Sequence, residues 1–277
     1  MNIRTIPLLF LLFVSLLACK KEPDLTIVEE TVLEGAVIHS IITDADWEVE
    51  VVSSENTRVE LSYSKCLEKG ISANLDNGKL SLWLDYSTFF PSGATMKAVV
   101  YTNEISSLTL DYYSTAVFKG SFVSPKLSIL LTNSSSCASL NADVASSCEI
   151  ILDKSSVLSD CNIVCTKATV GAKNSSRVTG TIAPSDSLLV ELNNNSRFVN
   201  YQSEPQAVKA KLGSASLMNI AQSSTQNLDI ELVASEASVN VDGAIKGSLT
   251  GASTLYYTGS ADISGLEVLE NSVVVPL

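Results

Sequence analysis

One histidine, His39, is all that the 277 residues contain. A serine-histidine-aspartate triad would have to use it, and no second histidine exists to help build a common zinc site. Lysine and arginine together number 18 against 30 acidic residues, a net charge of -12, and no run of basic residues interrupts that balance. An acidic surface without a basic patch repels the phosphate backbone, so nucleic-acid binding is excluded. No glycine-rich phosphate loop or nucleotide fingerprint occurs, and no cofactor is expected. Long apolar runs are missing too. The single strong one, residues 6–17, falls short of the roughly 20 residues that cross a bilayer.

That run has another use. It follows Arg4 and ends at Leu16-Leu17-Ala18-Cys19. A short apolar segment behind a positive charge is a signal peptide. Its last four residues resemble the lipobox of bacterial lipoproteins, and the Cys-Lys-Lys opening is of a Bacteroidetes type. The resemblance implies cleavage before Cys19, lipidation of that cysteine and attachment to a membrane. Several buried acyl chains, at about 0.8 kcal/mol per methylene, would hold the protein there. Position +2 is Lys20, not aspartate, which favours the outer membrane without choosing its leaflet. The expected organisation is a signal peptide over residues 1–18, a lipidated tether over 19–32, an N-terminal β region over 33–104 and a repeat region with a C-terminal cap over 105–277.

The repeat is the strongest internal pattern. A small polar triplet followed by an apolar residue recurs about every twenty residues, at Val117, Cys137, Leu158, Val178, Phe198, Leu217, Val239 and Leu255. Two places earlier stand Thr115, Ser135, Ser156, Ser176, Ser196, Ala215, Ala237 and Ser253. Four places earlier, five of the eight residues are asparagine or glycine, which best tolerate the left-handed backbone region that a tight corner requires. Short alternating strands flank each corner, as in Leu188–Leu192 and Leu228–Leu232, with no helical period. A fixed period near twenty in an all-β chain predicts a solenoid. Equivalent residues stack about 4.8 Å apart, and small residues are needed where side chains meet their own copies.

Residues 25–100 read as separate strands: Val37 to Ile42, Trp47 to Val52, Thr57 to Tyr63, Ile71 to Leu75 and Lys79 to Leu84. Asp76-Asn77-Gly78-Lys79 is a tight hairpin signal. With Val59-Glu-Leu-Ser-Tyr, then Ile71 to Leu82, then the serine-rich corners after Leu108, residues 33–255 resemble the putative auto-transporter adhesin, head GIN domain family. The resemblance implies a right-handed parallel β-helix-like fold in an envelope protein, with adhesion as its role. Family corners are glycine-rich, whereas serine and asparagine stand at most of these.

Candidate contact residues are few. Arg177 and Arg197 share one offset in the repeat and could sit one coil apart, gripping an anionic glycan or simply facing solvent. Tyr86, Phe89 and Phe90, with Pro91, form an aromatic loop, read either as a binding element or as a plug over the end of the solenoid. The acids Asp143, Asp153, Asp160, Asp186, Asp229, Asp242 and Asp262 recur at no single offset, so no stacked carboxylate face is expected. Of the cysteines beyond Cys19, Cys66, Cys137, Cys148, Cys161 and Cys165 are an odd number and cannot all pair within the chain. They read as small buried hydrophobes, with a disulfide among Cys148, Cys161 and Cys165 left open. The expected function is a non-enzymatic, membrane-anchored scaffold contacting a glycan or a cell-surface protein. A polysaccharide-binding or polysaccharide-cleaving β-helix is the alternative.

Overall fold

The computed structural model describes residues 22–85 and 87–277. They form a β-solenoid of about eight coils, and the only helical element among them is the single 3₁₀ turn Lys65–Leu67. Two long parallel stacks share a corner. The first runs from Lys79–Leu84 through Ser40–Thr43, Ser107–Leu110, Leu127–Leu131 and Ser147–Leu152 to Asp262–Val268. The second runs from Met96–Tyr101 through Glu48–Val52, Thr115–Lys119 and Ser136–Ala138 to Val273–Pro276. A shorter third face begins at Ser121–Ser124 and Asn141–Val144 and continues along the middle of Val157–Ala172 and Arg177–Leu192.

Register fixes the period. On the first face Leu108 pairs with Ile129, Ile129 with Ile150, Ile150 with Val170, Val170 with Val190, Val190 with Ala210 and Ala210 with Ile230, steps of 20 or 21 residues. All seven are buried. Alternation along each strand sends these side chains inward and their neighbours outward, so one continuous apolar column fills the interior.

On the second face the inward column is Val49, Ala116, Cys137, Leu158, Val178, Phe198, Met218, Ala237 and Leu255. Five of the eight positions expected from sequence match it or continue it in register. Three do not. Val117 is 43% exposed and Leu217 is half-buried, because Val117 lies one residue past the inward position and Leu217 one residue before it, and a one-residue slip turns a side chain to the other face. Val239 is buried but lies two residues along, in register with Ile220. In two of these coils the inward residue is a small alanine, and a larger neighbour drew the alignment to itself.

With the register corrected, the corner position becomes serine throughout: Ser114, Ser135, Ser156, Ser176, Ser196, Ser216, Ser235, Ser253 and Ser272. The first eight are buried. Most turn the hydroxyl back on the corner, as Ser135 Oγ donates to the Thr132 carbonyl at 2.7 Å and Ser156 Oγ to that of Asp153 at 2.7 Å. Several also accept from the coil before, as when the Ser156 amide donates to Ser176 Oγ at 3.3 Å. A larger side chain here would meet its copies above and below. Just before the serine, two consecutive residues take left-handed φ: Asn133 (51°) and Ser134 (64°), Lys154 (53°) and Ser155 (62°), Asn174 (55°) and Ser175 (66°), Asn194 (53°) and Asn195 (62°). Asparagine suits this region because its side chain bonds locally, and Asn174 Nδ2 reaches Asp153 Oδ1 at 2.7 Å while Asn194 Nδ2 reaches Asn174 Oδ1 at 2.9 Å.

The N-terminal part adds antiparallel strands at one end. Ile27–Val32 pairs with Arg58–Ser64, which pairs with Met96–Tyr101; Ile71–Asp76 pairs with Lys79–Leu84. The hairpin turns at Asn77 and Gly78, both with positive φ (48° and 77°). At the C-terminal end, where a cap is expected, Val273–Pro276 pairs in parallel with Thr254–Tyr257 as one more rung.

Candidate functional site

Arg177 and Arg197 stand directly opposite each other on adjacent coils. Each follows a buried corner serine, Ser176 or Ser196, and precedes a fully buried apolar residue, Val178 or Phe198. The inward pull on Val178 and Phe198 turns both arginines outward, where they are exposed. Paired parallel strands lie about 4.8 Å apart, so the two guanidiniums start from backbones one strand spacing apart. Val157 and Leu217 flank them on the next coils, and Thr179 opposite Val199 forms the next outward pair. None of the eight ion pairs among the described residues includes either arginine.

The first face handles charge differently. Across the corner, its outward side carries Glu191, Lys211 and Glu231 in register, and Lys211 Nζ lies 3.0 Å from Glu231 Oε2. That hydrogen bond raises the Lys211 pKa above the usual lysine range. Lys246 pairs with Asp229 at 3.8 Å and Lys167 with Asp186 at 3.5 Å. Two shallow grooves, of about 510 and 550 Å³, run over this face. Gly171 floors the first, beside Ile151, Glu191 and Lys211; the second passes Leu189, Lys209 and Asp229. The sequence reading missed this ladder, although the spacing of 191, 211 and 231 by twenty would have disclosed it.

Of the aromatic loop, Tyr86 lies outside the described residues. Phe90 packs partly buried against the core, whereas Phe89 is 79% exposed. The loop is therefore a plug at Phe90 and a projection at Phe89, and it lies at the antiparallel end, far along the solenoid from the arginines. A second exposed aromatic pair was not singled out: Tyr112 and Tyr113 (48% and 63% exposed) occupy a left-handed corner with φ 45° and 62°.

His39 precedes the strand that begins at Ser40. Its ring fills the space over Gly78, where an added Cβ would fall 2.2 Å from Nε2. Ser106 Oγ lies 3.3 Å from Nδ1, and no recorded contact among the described residues brings a carboxylate to the ring. The acids are dispersed as read: Asp153 accepts from Asn174 at the corner, Asp186 and Asp229 pair with lysines on the first face, and Asp242 accepts from Ser224 Oγ at 2.8 Å. Cys137, Cys148, Cys161 and Cys165 are buried free thiols. Burial pushes Cys161 up to about 12 and Cys165 up to about 11, and raises Cys137 and Cys148 as well. Such thiols stay protonated and behave as small hydrophobes. No group of three or more His, Cys, Asp or Glu side chains able to hold a metal ion occurs among the described residues.

No curated protein matches the sequence. Solved structures of similar fold include a "putative adhesin" from Parabacteroides merdae (TM-score 0.66, 10% identity, covering 91% of this chain and 96% of that one) and a "putative adhesin" from Parabacteroides distasonis (0.60, 11%, 92% and 98%). A "putative lipid binding protein" from Parabacteroides distasonis is similar too (0.59, 11%, 91% and 97%). At these identities they speak for the fold alone. The family model described as "putative auto-transporter adhesin, head GIN domain" matches residues 39–261, and the chain belongs to that family.

Proposed function

We propose that this chain is an outer-membrane lipoprotein whose solenoid makes adhesin-like, non-catalytic contacts, with Arg177 and Arg197 gripping an anionic group on a surface glycan. The observation that carries the reading is the register of the two arginines. Like charges placed opposite each other on neighbouring strands oppose pairing, and among the described residues no carboxylate forms an ion pair with either arginine, whereas most lysines there are paired. Two guanidiniums one strand apart suit a carboxylate or sulfate, which each can meet with two parallel hydrogen bonds. The dispersal of the acids and the thiols' high pKa values speak for binding rather than turnover. Membership in an adhesin family supports the same reading. The anchor itself, Cys19, lies outside the described residues; its support is the lipobox and the polar tether behind it.

Full-length protein in detergent, applied to a panel of sulfated, carboxylated and neutral glycans, tests this. Retention is expected on anionic members only, weakening as salt rises, and falling about tenfold or more when both arginines become alanine, since hydrogen bonds to charged groups are worth roughly 1.5–3 kcal/mol. Binding that survives the double substitution would contradict the site. Shortening of any polymer would replace the non-catalytic reading with the polysaccharide-cleaving one.

A further inference from the structure

We propose that the antiparallel end of the solenoid docks on the bilayer surface that lipidated Cys19 would enter, through Leu25, Ile27, Trp83 and Phe89. The inference rests on the anchor reading above and names what the tethered end touches.

The four side chains belong to one end of the molecule. The Lys65 amide donates to the Thr26 carbonyl at 2.8 Å and the Cys66 amide to that of Asp24 at 2.9 Å, which fixes residues 24–26 against the 65–70 turn. The Asp85 amide donates to the Gly70 carbonyl at 2.9 Å, and Thr88 lies so close to Gly70 that an added Cβ would clash with it. Leu25 Cδ1 lies 3.8 Å from where a Cβ on Gly93 would be. The loop that carries Phe89 is thus pinned at both ends beside residues 24–26. Ile27 pairs with Ser64 in the outermost strand of one stack. Trp83 pairs with Ser72 of the outermost strand of the other.

All four are exposed: Leu25 40%, Ile27 48%, Trp83 39% and Phe89 79%. Residues this apolar at one end ask for a covering surface, and chain length says which one lies within reach. Leu25 lies six residue steps after Cys19. At about 3.3–3.6 Å per residue they span roughly 20 Å at most, so a lipidated Cys19 cannot let this end leave the neighbourhood of the headgroups. Tryptophan settles in that layer with its apolar body inward and its N–H toward water, and phenylalanine and leucine serve as apolar insertions beside it. Lys69 is exposed on the same turn and has no recorded ion pair, while its neighbour Lys65 pairs with Glu68 at 3.3 Å; a lipid phosphate would suit Lys69. The opposite end also exposes apolar side chains, Val268, Leu269 and Leu277 among them, beside Asp262, Glu267 and Glu270, and no lysine or arginine follows Lys246; the reach of the tether is what selects the antiparallel end. Docked by its first rungs, a solenoid of about eight coils, roughly 40 Å long at 4.8 Å per coil, keeps the arginine pair several coils away from the contact.

The chain has two tryptophans, and they make the test direct. Trp47 is fully buried and Trp83 is at the proposed contact. Full-length lipidated protein is reconstituted into phosphatidylethanolamine–phosphatidylglycerol vesicles whose acyl chains are brominated near the carbonyl end. Trp83 emission should be quenched relative to unbrominated vesicles. The quenching should disappear in Trp83→Phe, which leaves only Trp47, and weaken in Phe89→Ser. Protein that floats with the vesicles without any Trp83 quenching would overturn the docking and leave the anchor standing. Trp83 shielded from both bromolipid and aqueous acrylamide would also overturn it, assigning the patch to a second copy of the chain. Failure to float, with Cys19 unmodified by mass spectrometry, would overturn the anchor and the docking together.

Discussion

The first coil and the coils above it close the same corner with different side chains. From Ser114 to Ser253 a buried serine stands two residues before the inward column. In the first coil that place belongs to Trp47, fully buried, and in the rung below it to Met96, 1% exposed. The difference follows from what lies on either side. A corner within the repeats has a copy of itself about 4.8 Å above and below, so only a small side chain fits. The first coil has serine-cornered repeats on one side only; on the other lie the parallel strands Lys79–Leu84 and Met96–Tyr101, and beyond them antiparallel strands that carry no matching corner. The interior would be open there, and a large apolar residue fills it. Repetition restricts side-chain size; the loss of repetition demands bulk. Solenoids need such atypical ends, and this one builds its end from Trp47, Met96, Leu67 and Phe90.

Breaking the plug should cost most. Trp47→Ala removes the largest buried side chain of the first coil and should destabilise the protein by about 3–5 kcal/mol, read as a lower denaturant midpoint. Putting bulk into the repeat tests the converse. Ser176→Leu forces a branched side chain between Ser156 and Ser196 and should cost about 1–3 kcal/mol; a melting temperature equal to that of the unaltered protein would count against the stacked corner. Asn174→Val leaves the interior alone but places a β-branched residue at φ 55°, with an expected cost of about 1–2 kcal/mol and loss of the Asp153 and Asn194 bonds. The smallest change in stability belongs to the outward face. Arg177→Glu puts a carboxylate opposite Arg197 and should leave stability equal or higher by about 0.2–1 kcal/mol, while removing the anion site. A substitution that abolishes binding without loosening the fold would separate the arginine pair's function from the architecture.

Much of this was legible in the sequence because a repeat samples one position many times. The period, the small corner residue and the left-handed asparagines were readable from the ladder, and the early strands from alternation and the Asn77-Gly78 turn. Three inward positions were misread where Ala116, Met218 and Ala237 have larger or equally apolar neighbours, since hydrophobic size alone does not mark which way a strand residue points. The misreading hid the unbroken run of serines. How the first half joins the second was not legible. Ser40–Thr43 and Glu48–Val52 lie between strands that come 39 to 67 residues later in the chain, and no local pattern encodes such insertion. Among the candidate contact residues, the common offset of Arg177 and Arg197 was readable and the register places them opposite each other. Their lack of partners was not, because it depends on which acids the other faces keep for themselves. The split roles of Phe89 and Phe90 were equally hidden, as a loop has no period to say which ring faces in.

The central claim is that the arginine pair binds an anionic glycan without cleaving it. One titration reads both halves: lipidated full-length protein in detergent against a sulfated oligosaccharide of single, defined length, with affinity and product mass followed in the same samples, for the unaltered chain and for Arg177→Ala with Arg197→Ala. The account predicts saturable binding that weakens about tenfold or more in the double variant, and an oligosaccharide of unchanged mass throughout. Equal affinity in the two proteins, or any shorter product that the unaltered chain alone releases, would contradict it.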